Sequence, residues 1–299
     1  MPNSLFWLLH TPVKLESHPF VPFFLVLAAF SSVPGLKVYA VDWLGTGRSS
    51  RVPFKVRPGK EGSIEAAEAF FIDSLEEWRK AEGIDKMILF GHSLGGYLSA
   101  CYALKYPDRV EHLFLVSPAG VPAPPVMSGD KSEFQKQRPL LYASVKYLWE
   151  QSFTPQGLIR FAGPWGPKVI KTYTDRRFAD LEEDEATIFR EYSYHFNARK
   201  KSAEVGLHCV LDFGAWARNP LVNRVHAIKS PTTWLYGSHD WMNPNAGYEA
   251  AARMTVPTSV TVIPRADHHL YIDNAPAFNR AVVDVIRDIQ KNSVPKQSA

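Results

Sequence analysis

The hydrophobic pattern of this chain switches between two periods. Short apolar or alternating runs at residues 4–9, 36–41, 87–90, 110–116, 232–236 and 260–263 have the length and β-rich composition of buried strands. Segments of helical period lie between them. Residues 64–82 put Ile64, Ala67, Phe71, Leu75 and Trp78 on one face, with Ser63 as the expected N-cap and Gly83 as the stop. Rings at that spacing read as core, not as a cofactor box. Residues 94–105 form a second helix halted by Pro107, and residues 276–291 a final amphipathic one. Strands and helices alternating in this way predict a mostly parallel, doubly wound sheet with helices on both faces.

From Val121 the texture changes. Pro122, Pro124 and Pro125 interrupt the chain, and the stretch to about residue 230 is rich in helix formers and in rings such as Tyr142, Trp149, Phe161 and Trp165. The pattern predicts a helical cap over 122–230, set between two parts of an α/β core at 1–121 and 231–291, with a polar tail at 292–299. An aromatic-rich cap suits apolar substrates, although many rings must pack the cap itself. Arg199-Lys200-Lys201 reads as a solvated helix end or loop, with a phospholipid-headgroup contact as the alternative. The apolar stretch 21–30, interrupted by Pro22, is about half of the ~20 residues a membrane-spanning helix needs. With Lys14 ahead of it, it imitates a signal-peptide core. A short helix after the first strand uses it better.

Composition narrows the function classes. At 299 residues and 45% hydrophobic, the chain can bury a large core and carry a substantial insertion. Its 34 basic and 30 acidic residues are dispersed, and the net +4 is too mild to suggest nucleic acid but compatible with a membrane surface. Cys101 and Cys209 form no C-x-x-C pair, which points to a reducing, intracellular compartment. The glycine-rich loop after Asp42 lacks phosphate-loop spacing, and no nicotinamide, nucleotide or metal motif is present, so no cofactor is expected.

The chemistry concentrates at Gly91-His92-Ser93-Leu94-Gly95, a G-x-S-x-G between a strand and a helix. A serine on so sharp a turn projects its hydroxyl from the top of a sheet. Side chains two residues either side would strike the neighbouring backbone, hence Gly91 and Gly95. The Leu94 N–H then faces an incoming carbonyl oxygen. The plain alternative is a structural glycine turn. Serine is a weak nucleophile and needs a base with an orienting acid. In chain order Ser, acid, His, the residues after the later strands are Asp240 and His268, at the carboxyl edge that also holds Ser93. Asp267 stands beside the imidazole and His269 projects differently. The bland readings are a loop cap for Asp240 and a satisfied surface histidine for His268.

Four stretches, GHSLGGYLSACYALKYPDRVEHLFLVSPAGVP, DWLGTGRSS, WLYGSHDWM and HHLYIDNAPAFN, resemble the α/β-hydrolase family of lipid-acyl enzymes. That family contains the N-acyl-phospholipid lipase, the lipid-droplet lipase coactivator and fungal cardiolipin-specific deacylases. The resemblance runs from about residue 31 to 289 and implies the α/β-hydrolase fold with its first strands missing. It implies an acyl hydrolase acting on a phospholipid or lysophospholipid, with Ser93, Asp240 and His268 as triad. His268 and Asp273 also fit the family's H-x4-D motif, linked to lysophosphatidic-acid acyl transfer, although an N-cap ahead of the last helix is the favoured role for Asp273. The coactivator carries asparagine at the serine position, so Ser93 argues for retained catalysis. One departure stands at the N-terminus. With His10 in register, Pro12 falls where the family places its second oxyanion donor, and proline has no N–H to give. Losing one such donor lowers rates by ~10²–10³-fold.

Three functions follow for testing: a serine phospholipase or lysophospholipase in lipid remodelling, a lysophosphatidic-acid acyltransferase, and a non-catalytic lipase-regulating module. All place the protein at the periphery of a membrane. Fungal members imply mitochondria, and other members lipid droplets or the endoplasmic reticulum.

Overall fold

The computed structural model describes residues 30–31, 33–123, 136, 138–178 and 182–293, with residues 3–8 described by backbone alone. Six strands form one sheet in the order β2-β1-β3-β4-β5-β6: β1 Asn3–Leu8, β2 Leu36–Val41, β3 Met87–His92, β4 Val110–Val116, β5 Thr232–Gly237 and β6 Thr258–Ile263. Every neighbouring pair is parallel. All the strand runs read from the pattern are present. β1 lies between β2 and β3, so the order reverses there and a crevice opens at the strands' carboxyl ends.

The central strands are apolar on both faces because helices cover both. Met87 and Leu89 of β3 point to one side and pack with Leu75 of helix α1 (Ser63–Ala81) and Tyr97 of helix α2 (Leu94–Lys105). Ile88 and Phe90 point to the other, against Phe30 and Phe278, Val282 and Ile286 of the last helix. Phe90 stacks on Phe114 with ring centres 4.1 Å apart. This period-2 division of a nearly continuous apolar run is what a doubly covered parallel sheet requires.

Two helix starts differ from expectation. Ser63 is the first residue inside α1, and the cap position is Gly62, at φ 71° with no side-chain cap. A left-handed turn suits glycine and leaves Ser63 helical. At the last helix, Asn274 accepts from the Ala277 N–H at 3.3 Å, so Asn274, not Asp273, serves the first turn. Gly83, at φ 66°, does follow the end of α1.

Between β4 and β5 stand helices α3 Pro139–Glu150, α4 Pro155–Phe161, α5 Gly166–Arg177 and α6 Glu183–Asn197. Thr154 caps α4 by accepting from the Gly157 N–H at 2.9 Å. Arg190 bridges Glu183 and Asp175 across α5 and α6. The chain then returns to the sheet, where Val210, Leu221, Val225 and Ile228 are buried in the same cluster as α1 and α2. Helix α7 Pro244–Ala252 lies between β5 and β6, and helix α8 Ala275–Ser293 follows β6. Among the described residues no helix is long and apolar enough to cross a membrane.

Candidate active site

Strand β3 delivers Ser93 to the crevice in a conformation an L-residue rarely adopts, φ 54° and ψ −121°. Its backbone is held on both sides: Ser93 N–H donates to Val116 C=O at 3.0 Å, and Ser93 C=O accepts from Gly96, Tyr97 and Ala119. A Cβ at Gly91 would collide with the backbone of Gly95 and with Ser99 Oγ, so the tight turn demands glycine there. Gly96 is a further requirement the motif does not name, since a Cβ on it would come within 2.8 Å of Pro118. The Leu94 N–H, first in α2, meets no acceptor among the described residues and is available to a ligand oxygen.

Asp240 and His268 arrive from the loops after β5 and β6. His268 Nδ1 donates to Asp240 Oδ1 at 3.0 Å, and Ser93 Oγ donates to His268 Nε2 at 3.1 Å. The carboxylate can only accept, which fixes the tautomer that leaves Nε2 free for the serine proton. Asp240 is fully buried at its side chain. Burial pushes its carboxyl up, but the hydrogen bonds from His268 and the Met242 N–H, with the Ser117 hydroxyl beside them, outweigh this and hold it below the usual carboxylate range. The carboxylate thus stands charged behind the imidazole nitrogen that faces away from Ser93.

Neighbours fix the imidazole further. His92 Nε2 donates to the His268 carbonyl at 2.9 Å, joining the elbow to the loop after β6 across 176 positions of sequence. In the sequence His92 is legible only as an elbow residue; its positioning contact has no local signal. His268 N–H donates to Asp267 Oδ1 at 2.7 Å, and the Trp241 ring lies 5.2 Å from the imidazole. His269 turns away to accept from Arg177 of α5 at 3.0 Å, and burial with nearby His268 and Arg177 pushes its imidazole down to about 3. Asp273 accepts from the Asp267 N–H at 2.9 Å and stands 3.5 Å from Arg177, so it braces the loop after β6 instead of capping the last helix. Pro12, His10 and the rest of residues 9–29 lie outside the described residues, as does the second oxyanion donor expected there.

Among the described residues no cluster of His, Cys, Asp or Glu could hold a metal ion. A family model described as serine aminopeptidase, S33 (Hydrolase_4) matches residues 26–275. The chain belongs to this α/β-hydrolase family. Relatives of this Hydrolase_4 member include a 1-acylglycerol-3-phosphate O-acyltransferase of Arabidopsis thaliana, 43% identical over 84% of this chain and 60% of the relative. A (lyso)-N-acylphosphatidylethanolamine lipase of Homo sapiens is 39% identical over 84% of this chain and 71% of the relative. The 1-acylglycerol-3-phosphate O-acyltransferase ABHD5 of Homo sapiens is 34% identical over 83% and 69%. The chain thus spans about three fifths of the length of the plant relatives it matches. A solved hydrolase from Pseudomonas aeruginosa superposes with a TM-score of 0.64 at 17% identity, covering 95% of this chain and 89% of that one, which bears on the fold alone.

Proposed function

We propose that this chain is a serine acyl hydrolase that cleaves a carboxylic ester of a glycerophospholipid or lysophospholipid, such as an N-acyl-phospholipid or cardiolipin. The observation that carries the reading is the hydrogen-bonded series Ser93–His268–Asp240 at a left-handed elbow serine. In the reaction Ser93 Oγ attacks the ester carbonyl while His268 Nε2 takes its proton. Negative charge on the former carbonyl oxygen meets the Leu94 N–H. Collapse expels the lipid alcohol, which leaves with the proton from His268, and water then discharges the acyl-Ser93 by the reverse proton path.

The lipid class is supported by relatives whose names describe lipid-acyl enzymes. Exposed Leu140, Phe161 and Trp165, in the helical stretch between β4 and β5, suit work at a lipid surface. A second reading forms the same acyl-Ser93 from acyl-CoA, whose thiol leaves with the proton from His268, and then replaces water by the hydroxyl of lysophosphatidic acid, as the name of the plant relative suggests. The test is a fluorophosphonate probe on wild type and Ser93→Ala, followed by product analysis with phospholipid, and with acyl-CoA plus lysophosphatidic acid. Ser93-dependent labelling with fatty acid release supports the hydrolase. Absence of labelling rejects both catalytic readings and leaves the regulatory module.

A further inference from the structure

Two hollows differ in chemistry, one reaching the elbow at Leu94 and one walled by Trp241 and Met242, next to Asp240 in the chain. The one beside the triad, about 130 Å³, is walled by Gly120, Val121, Trp216, Tyr236, Trp241 and Met242 and carries no charged side chain among its described walls. The other, about 50 Å³, has Leu94, Leu98, Phe71, Phe196, Arg51 and Glu204 among its walls. An ester lying across Ser93 with its acyl part on one side must place its alcohol part on the other.

Around Arg51, a wall of this hollow, like charges lie close together; Arg199 stands outside the walls and meets Arg51 at a shared carbonyl. Arg51 donates to the carbonyls of Gly45 at 2.8 Å and Gly47 at 3.1 Å, and Arg199 donates to that same Gly47 oxygen at 2.7 Å. Two guanidinium groups therefore share one acceptor, and neither forms an ion pair with a described carboxylate. The charges acting on Arg51 are Arg199 and Arg160 on one side and Glu204 and Asp42 on the other. Counting Arg51 itself, three cations face two carboxylates. Glu204 accepts from Arg160 and from the Ser202 N–H, and Asp42 accepts from the Arg48 N–H through Oδ2 at 2.8 Å. The cluster keeps a positive surplus in a partly desolvated place, where an anion would be held strongly. One buried donor there, Arg51 Nε, has no partner, and neither do two buried acceptor oxygens, Gln156 Oε1 and Asp42 Oδ1. Arg199, Lys200 and Lys201 are exposed just beyond α6, the solvated helix end expected of this run, so a headgroup can reach Arg199.

We propose that the hollow between Leu94 and Arg51 is a phosphate subsite, in which Arg51 and Arg199 hold the phosphate of the lipid while the first acyl carbons occupy the hollow beside Trp241. This rests on the hydrolase reading and adds the orientation of the substrate and the residues that select it. Binding to Ser93→Ala protein, which needs no turnover, tests it by titration calorimetry with three ligands: lysophosphatidic acid below its micellar concentration, the monoacylglycerol of the same chain, and glycerol 3-phosphate. Adding Arg51→Gln or Arg199→Gln should weaken lysophosphatidic acid about tenfold and leave monoacylglycerol unmoved, with Arg51→Lys retaining most of the preference. Arg199 touches a single carbonyl, so its variant carries the test if Arg51→Gln disturbs the loop. Equal loss for both lipids, or no loss, overturns the subsite. Glycerol 3-phosphate binding as tightly as the lysolipid would mark a soluble-phosphate site and overturn the lipid assignment. Loss of the hydrolase reading has its own signature, unlabelled Ser93 with the phosphate preference intact.

Discussion

At one end of helix α2, Tyr102 donates to Glu76 at 2.6 Å, while Arg79 donates twice to the same carboxylate at 2.8 Å and again to the carbonyls of Ile84 and Asp85. At the other end, Ser93 donates to His268 and His268 to Asp240, but Asp240 Oδ2 and Ser117 Oγ are buried without a hydrogen bond of ordinary geometry. The first network is closed, with its charges matched and its backbone helical. The second combines a strained serine, a carboxylate only partly satisfied, and an imidazole whose bond to Ser93 can be exchanged. Closure suits stability; open valence is what the proposed chemistry would use.

The largest test of that contrast is Ser93→Ala. Ester hydrolysis should fall on the order of 10⁴-fold or more, probe labelling should vanish, and unfolding free energy should change by no more than about 1 kcal/mol. Retention of hydrolysis would break the comparison at its open end. Glu76→Gln attacks the closed end. It leaves the Arg79 guanidinium buried without its counter-charge and should remove about 3–5 kcal/mol from denaturant-measured stability. The labelling rate of the molecules still folded should be unchanged. A slower rate there would mean the two ends of α2 are coupled.

How far each end was legible in the sequence follows from the range of its contacts. The elbow is local: a strand, two small residues and a helix within about twenty positions specify the turn, so Ser93 and the bounds of α2 could be read directly. Asp240 and His268 could be placed because each follows a strand of a parallel sheet, and topology brings such loops to one edge. The bonds between those loops could not. His92 reaches the His268 carbonyl across 176 positions, and Arg199 reaches Gly47 across 152. Period and propensity carry no information on such pairings. The Asp273 and Asn274 exchange has a different cause: both residue types cap helices, and only the Asp267 N–H decides which one is already occupied.

A third variant asks whether unpartnered buried atoms mark function by themselves. His208 has both ring nitrogens buried without a hydrogen bond of ordinary geometry, and its ring centre lies 4.2 Å from that of Trp149. Burial pushes it down to about 4 from an ordinary 6.5. Below 6.5 the unfolded chain takes up a proton that the folded one refuses until about 4, so this group's contribution to stability falls across that window and then levels. His208→Phe should make the acid limb of a stability-against-pH curve shallower by about 2 kcal/mol, allowing for solvent screening, without lowering activity per folded molecule. A loss of activity would give open valence alone a functional meaning.

The smallest effect expected is at Asp273, and it separates two ways of reading His268 and Asp273 together. Its carboxylate accepts from the Asp267 N–H and faces Arg177, which in turn donates to His269, so it holds the loop after β6 from behind. Asn keeps an acceptor for that N–H and loses only the charge facing Arg177; Ala loses both. Bracing therefore predicts a graded response in kcat, a few-fold for Asp273→Asn and about tenfold for Asp273→Ala, with KM steady, because a loosened imidazole spends less time aligned with Ser93. Hydrolysis and acyl transfer should decline in the same proportion, since in the proposed mechanism both pass through an acyl-Ser93. If Asp273 itself served the acceptor lysolipid, Asp273→Ala would abolish phospholipid synthesis from acyl-CoA and spare fatty acid release. Measuring both products on one preparation decides it, because a brace cannot tell water from a lysolipid hydroxyl and a transfer residue must.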